Sequence, residues 1–177
     1  MLTGHIYMAT SLDGFVARND HSLDWLMKQK TEGEDLGFDD FMASVDGLIM
    51  GSGSFKTVLA FESWPYQKPV IVMSHSLVEE DIPVELKDKV RLTQLSPQEL
   101  MLSLEKEGWR RAYVDGGKLV QSFIRSGLIQ DMTITFIPIL IGEGVRLFGP
   151  VDNDIDLELI KSESFGSGLV QNYYKIL

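Results

Sequence analysis

The 177-residue chain has no cysteine. That absence excludes disulfides, thiolate nucleophiles and zinc sites built on cysteine ligands, the zinc-deaminase signature among them. Histidine is almost as scarce, and the three present, His5, His21 and His75, show no metal-ligand spacing. Positive charge is short as well: 16 Lys and Arg stand against 26 Asp and Glu, for a formal net charge of -10. A nucleic-acid surface needs a basic stripe, so no nucleic-acid partner is expected. An anionic ligand would have to be held locally, by backbone amides and a few placed polar groups. No apolar run reaches the length of a membrane span, and Met1-Leu2-Thr3-Gly4-His5 lacks the basic-then-apolar pattern of a signal peptide. The expectation is a cytoplasmic protein with no membrane partner, folded as a single domain over residues 1–177.

What is present is an alternation of short apolar runs with helical patterns. His5–Ala9 reads as a strand ending in the turn signal Ser11-Leu12-Asp13-Gly14. Phe38, Phe41, Met42 and Val45 recur as one face of a helix. Gly47–Met50, Val70–Met73 and Val90–Thr93 are short and apolar enough for strands buried on both faces. Ser96-Pro97-Gln98-Glu99 is a capping box with proline at the first helical position, and Gly108 closes that helix. Arg111–Val114 reads as a strand, Lys118–Ser126 as a helix with Leu119, Val120, Phe123 and Ile124 inward, and Met132–Leu140 as a long β-branched strand. Leu157–Phe165 and Leu169–Leu177 alternate around Gly166-Ser167-Gly168 as a hairpin does. About eight strands and four or five helices in this order predict an α/β fold. Its mostly parallel central sheet is covered by helices on both faces and finished by an antiparallel C-terminal hairpin.

Two junctions carry the chemistry. Gly47-Leu48-Ile49-Met50-Gly51-Ser52-Gly53-Ser54 and Arg111-Ala112-Tyr113-Val114-Asp115-Gly116-Gly117-Lys118-Leu119 each run from an apolar strand through small residues into a helix. Glycine allows close backbone approach, and a helix start offers unpaired N–H groups with partial positive charge. One such junction is weak support for phosphate binding; two on one sheet suggest a ligand with at least two anionic groups, such as a dinucleotide.

These pieces resemble the dihydrofolate reductase superfamily, in particular the branch of the reductase domain of the riboflavin-biosynthesis deaminase/reductase. The resemblance rests on Ala9 to Ala17, Leu23-Asp24-Trp25-Leu26, Asp46 to Gly51, Val70 to Ser74, Val114 to Gly117 and Phe136 to Gly144, in that order. It implies an NADPH-dependent reductase acting on a C=N or C=O bond of a small, pterin- or pyrimidine-like heterocycle. Gly51, Ser52 and Ser54 match one phosphate turn, and Gly116, Gly117, Lys118 and Leu119 the other. Ser74, with His75 beside it, matches the strand end that meets the adenosine 2′-phosphate, and Ala9 a backbone position beside the nicotinamide. Ser11–Phe15 matches a mobile loop closing over that ring, with Asp13 as the candidate proton donor, and Trp25 falls near the substrate pocket. Relatives of the riboflavin type imply a homodimer. Where they carry cations, this chain has Tyr7, Met42 and Ser52, and no acid stands at the usual place on the helix after the first loop. An alternative therefore stays open: a nucleotide- or pterin-binding protein that keeps the fold without the chemistry.

Overall fold

A computed structural model describes residues 1–177. The chain runs β1 (Thr3–Ser11), β2 (Phe15–Ala17), α1 (Asp24–Met27), α2 (Phe38–Ser44), β3 (Gly47–Gly51), α3 (Ser52–Leu59), β4 (Val70–Met73) and β5 (Val90–Thr93). It continues with α4 (Pro97–Lys106), β6 (Arg111–Asp115), α5 (Gly117–Arg125), β7 (Ile129–Ile137), β8 (Val145–Arg146), β9 (Leu157–Ser164) and β10 (Val170–Ile176). Eight strands form one sheet in the order β5-β4-β3-β6-β1-β7-β10-β9, while β2 and β8 make a separate two-stranded ribbon. From β5 to β7 every pairing is parallel; β10 runs antiparallel to both β7 and β9. The expected parallel sheet with an antiparallel end is thus the observed one.

Successive strand residues point to opposite faces, so a fully apolar strand needs cover on both. In β3, Ile49 joins Ile6, Ile71 and Val114 beneath Leu100, Leu104 and Phe123 of α4 and α5. Its neighbours Leu48 and Met50 join Val70, Val72 and Tyr113 against Phe55 and Val58 of α3. The capping box forms as read: Ser96 Oγ accepts from Glu99 N at 3.4 Å, and Glu99 Oε2 accepts from Ser96 N at 2.9 Å. The imidazole of His5, buried at the amino end of the sheet, spans two partners: Nδ1 lies 2.8 Å from Asp131 Oδ1 and Nε2 2.9 Å from Thr3 Oγ1.

Most boundaries shift by one to three residues from the sequence reading, and two differences have a clear physical reason. The long strand β7 stops at Ile137 instead of continuing to Leu140, because Pro138 brings no N–H to the ladder. The β2–β8 ribbon is too short for its alternation to be legible. At the far edge no residue of β9 is buried, and Leu157, Leu159 and Ile160 are 44%, 54% and 50% exposed. No helix is long and apolar enough to cross a membrane.

Candidate functional site

Strand β6 lies between β3 and β1, although the chain visits it only after β5. Strand order reverses there, which opens a crevice beyond the carboxyl ends of the strands. Both glycine junctions lie at that end. Gly51 passes directly into Ser52, the first residue of α3, and Gly116 is the last before α5. The register Met50↔Asp115 sets the two junctions side by side. They touch: Gly116 has φ +99°, and a methyl group built on it would sit 2.5 Å from Ser54 Oγ. Neither α3 nor α5 has a side-chain cap, whereas α4, remote from the crevice, is capped twice over. Two helix starts therefore converge with their first-turn amides unclaimed by any capping side chain, an arrangement suited to anions.

The cavity over these junctions has a volume of about 460 Å³. It continues past Ser52, Gly53 and Lys118 into a polar cleft of about 760 Å³, lined also by Lys56, Asp20 and Asp24. Ala9, Gly51, Ser52, Ser54, Gly116, Gly117, Lys118 and Leu119 all line the cavity. Ser54 does so from the first turn of α3, whose N-cap is Gly51, so its hydroxyl does not cap the helix.

Four expected residues lie elsewhere. Ser74 follows the cavity-lining Met73, but its Oγ accepts from the N–H groups of Ser76 at 3.2 Å and Leu77 at 3.1 Å, closing a local turn. His75 is exposed on that turn. Asp13 faces away: its carboxylate accepts from Gly142 N at 2.8 Å and Ile141 N at 3.2 Å. Hydrogen bonding, first from the Ser11 hydroxyl and then from those amides, holds the Asp13 carboxyl below the usual range. An anchored carboxylate of that kind is a poor proton donor, so Asp13 ties down a turn. The Ser11–Phe15 segment is pinned as well, by Phe15 N donating to Ser11 Oγ at 3.0 Å and Leu147 N to Gly14 O at 3.0 Å. Trp25 is wholly buried with Ile137 and Leu169. Leu26, the next helical residue, lines the cavity instead, since adjacent helical side chains diverge by about 100°, and so does Leu23 just before the helix.

The cavity also holds groups to which the sequence reading gave no role in the site. Tyr7, Tyr66 and Tyr113 line it together with Asp115, and His21 reaches it from the loop before α1. The His21 ring packs on Gly53, where a methyl group would meet it at 2.9 Å. His21 thus brings an imidazole to the cavity wall, while His75 lies on the exposed turn after β4. Burial raises the phenol pKa values of all three tyrosines, which keeps them neutral. Tyr113 Oη donates to the Tyr7 carbonyl at 2.9 Å, and Tyr7 Oη donates to the Leu36 carbonyl. Burial also pushes the Asp115 carboxyl up to about 6, partly offset by hydrogen bonds from Tyr113 and the Gly116 N–H. In sequence Tyr113 reads as an ordinary strand residue and Tyr66 falls between elements, while Tyr7 is marked only as standing where relatives carry a cation.

A mostly parallel eight-stranded sheet of this order, with its antiparallel edge and its cavity at the strand ends, is the dihydrofolate reductase-like fold. The chain belongs to the RibD C-terminal domain family, whose model matches residues 4–171. It is 30% identical over 174 residues to the uncharacterized protein YwjB of Bacillus subtilis, covering 96% of each chain. A crystal structure of a candidate riboflavin biosynthesis protein from Shewanella sp. PV-4 superposes with a TM-score of 0.92 at 38% identity, over 99% of both chains. The diaminohydroxyphosphoribosylaminopyrimidine deaminase/5-amino-6-(5-phosphoribosylamino)uracil reductase of Thermotoga maritima shares the fold at TM-score 0.77 and 11% identity. This chain covers 57% of that protein.

Proposed function

We propose that this protein is an NADPH-dependent reductase that reduces a C=N or C=O bond of a small heterocycle, pterin- or pyrimidine-like. The observation that carries the reading is the meeting of two glycine-bearing, uncapped helix starts at Ser54 and Gly116, above a cavity continuous with a polar cleft. Family membership and the reductase among the structural neighbours support it. The residues present fit a dinucleotide. Gly51, Ser52 and Ser54 would hold one phosphate and Gly116, Gly117 and Lys118 the other, with Leu119 behind them. Ala9 would sit beside the nicotinamide, and the Ser74-His75 turn would take the adenosine 2′-phosphate. Reduced nicotinamide supplies a hydride. The protein supplies orientation, and an apolar wall of Val16, Ala17 and Val145 that keeps water from the reacting carbon.

Titration with NADPH, NADH and FMN, followed by nucleotide fluorescence and thermal shift, tests this. NADPH at 100 times its dissociation constant should stabilise the fold by about 2.7 kcal/mol, and oxidation of NADPH should follow in a screen of pterin, flavin-precursor and quinonoid compounds. Indifference to both nicotinamide nucleotides at millimolar concentration sinks the reading.

We also propose that the protein works as a homodimer, with β9 of one copy against β9 of the other. An exposed edge strand carrying Leu157, Leu159 and Ile160 invites pairing. Antiparallel self-pairing about the Leu159–Ile160 bond would set Glu158 opposite Lys161. Light scattering should give twice the chain mass for the wild type and a single chain mass for Leu159→Lys; a wild-type monomer at high concentration refutes the pairing.

A further inference from the structure

Building on the reductase reading, we infer that Tyr66 selects the substrate: its phenol hydroxyl donates a hydrogen bond to a ring carbonyl of the heterocycle, which is a pyrimidinone-type ring, alone or fused as in a pteridine.

Three phenols line the 460 Å³ cavity, and two have their protons committed within the fold. Tyr113 Oη donates to the Tyr7 carbonyl at 2.9 Å and, more weakly, to Asp115 Oδ1 at 3.4 Å. Tyr7 Oη donates to the Leu36 carbonyl and accepts from Gln171 Nε2 at 3.1 Å. Tyr66 differs. The residue is only 8% exposed, yet its hydroxyl makes no hydrogen bond within the chain. The unpartnered polar atoms sealed inside the fold are Trp25 Nε1, Trp64 Nε1 and Asn172 Oδ1. The Tyr66 hydroxyl is not among them and opens onto the cavity that its ring lines. A buried donor without a partner is unfavourable, and native folds keep one where water or a ligand completes it.

The ring that carries this hydroxyl is fixed. Trp64 stands edge-on to it, with centroids 5.5 Å apart and planes at 85°, and Trp64 is held in turn against Phe55 at 6.1 Å. Tyr66 packs in the same core as Val58, Val72 and Tyr113. The donor is therefore in place before a ligand arrives, and little side-chain entropy is lost when it is used.

The surroundings decide which acceptor it meets. Burial, and after it the charge of Asp115, raises the Tyr66 phenol well above the ordinary tyrosine range, so the hydroxyl keeps its proton. The same nearby carboxylate repels an anionic group, which disfavours a phosphate or carboxylate here. The cation lining the cavity, Lys118, stands at the start of α5 in the phosphate cradle with Ser52 and Ser54 opposite. Thr57, next along α3, spends its hydroxyl on the Gly53 carbonyl at 3.1 Å. What Tyr66 offers is a neutral donor among the apolar side chains Val58, Phe61 and Leu26, which suits the carbonyl of an uncharged flat ring.

Tyr66→Phe removes one oxygen and leaves the contact with Trp64. Because that oxygen bonds nothing in the fold, the melting temperature of the variant should equal that of the wild type; a fall would mean a structural role and overturn the inference. Binding is read on the NADP⁺-loaded protein by fluorescence titration with lumazine (pteridine-2,4-dione) and with quinoxaline, a two-ring analogue that lacks the carbonyls. Wild type should prefer lumazine, and Tyr66→Phe should weaken lumazine about tenfold while leaving quinoxaline unchanged. With whichever heterocycle is reduced, KM should rise by the same factor at constant kcat, the pattern of an interaction made equally in ground and transition states.

Unchanged lumazine affinity and KM in Tyr66→Phe would overturn the contact. Weakened NADPH binding in the variant would place the hydroxyl on the cofactor and overturn it as well. A wild type that binds NADPH but does not prefer lumazine to quinoxaline would refute the pyrimidinone ring and leave the reductase standing. A protein that binds no NADPH would sink the reductase reading itself.

Discussion

Replacing Gly117 with alanine should destabilise the protein by about 1–3 kcal/mol, even though alanine is the better helix former by about 1 kcal/mol. A methyl group there would lie 2.4 Å from the Arg146 carbonyl oxygen, 2.9 Å from Val145 Cγ1 and 3.2 Å from Val16 Cγ2. The first contact is with backbone, which cannot swing aside as a side chain would, so either α5 or the β2–β8 ribbon must move. Both belong to the cavity wall, and NADPH affinity should fall together with stability. Gly51→Ala is the matching control. Its methyl group would meet no atom within 4 Å, and Gly51 has the extended φ of -84° that any residue adopts. The fold should be unchanged or slightly stabilised, while the methyl intrudes where a phosphate would approach. Urea denaturation and nucleotide titration of the two variants separate the roles: Gly117→Ala lowers the unfolding midpoint and the affinity, Gly51→Ala the affinity alone. Equal, undiminished affinity in both would remove the phosphate role from these turns.

Trp25→Ala should be among the most damaging single changes in the chain, at about 3–5 kcal/mol. The indole is wholly buried against Ile137 and Leu169, with Ala9, Leu36 and Phe165 packed around it. Its Nε1 has no hydrogen-bond partner, so Trp25→Phe forfeits no hydrogen bond and should be much milder. A substrate-contacting tryptophan would behave differently, raising KM in both variants with little change in the melting temperature. Melting temperatures measured alongside KM distinguish these outcomes.

Strands β3 to β6 were legible because each is a short, largely apolar block, and Val70–Met73 and Val90–Thr93 occur with the very limits read for them. Helix α4 was legible through its cap, and the cradle through Gly51 and the Gly116-Gly117 pair. The tyrosines lining the cavity were not. Tyr7 and Tyr113 sit at strand positions where sequence cannot tell a core-facing ring from one bordering a cavity. Trp25 shows the same limit in reverse: the segment does line the cavity, through Leu23 and Leu26, and a turn of one residue decides which side chain does so. Asp13 misled because an aspartate before glycine serves a turn as readily as a reaction, and here its partners are the amides of Ile141 and Gly142. Such pairings across more than a hundred residues leave no local trace.

The absence of any connecting residue between β3 and α3 has a kinetic side. The cradle is welded to the sheet, so its geometry is set when the core forms and waits for no hinge or folding-over segment. A nucleotide arriving there meets donors already in position. Little ordering entropy is left to lose, and its association should be limited by encounter and desolvation, with no slow rearrangement in between.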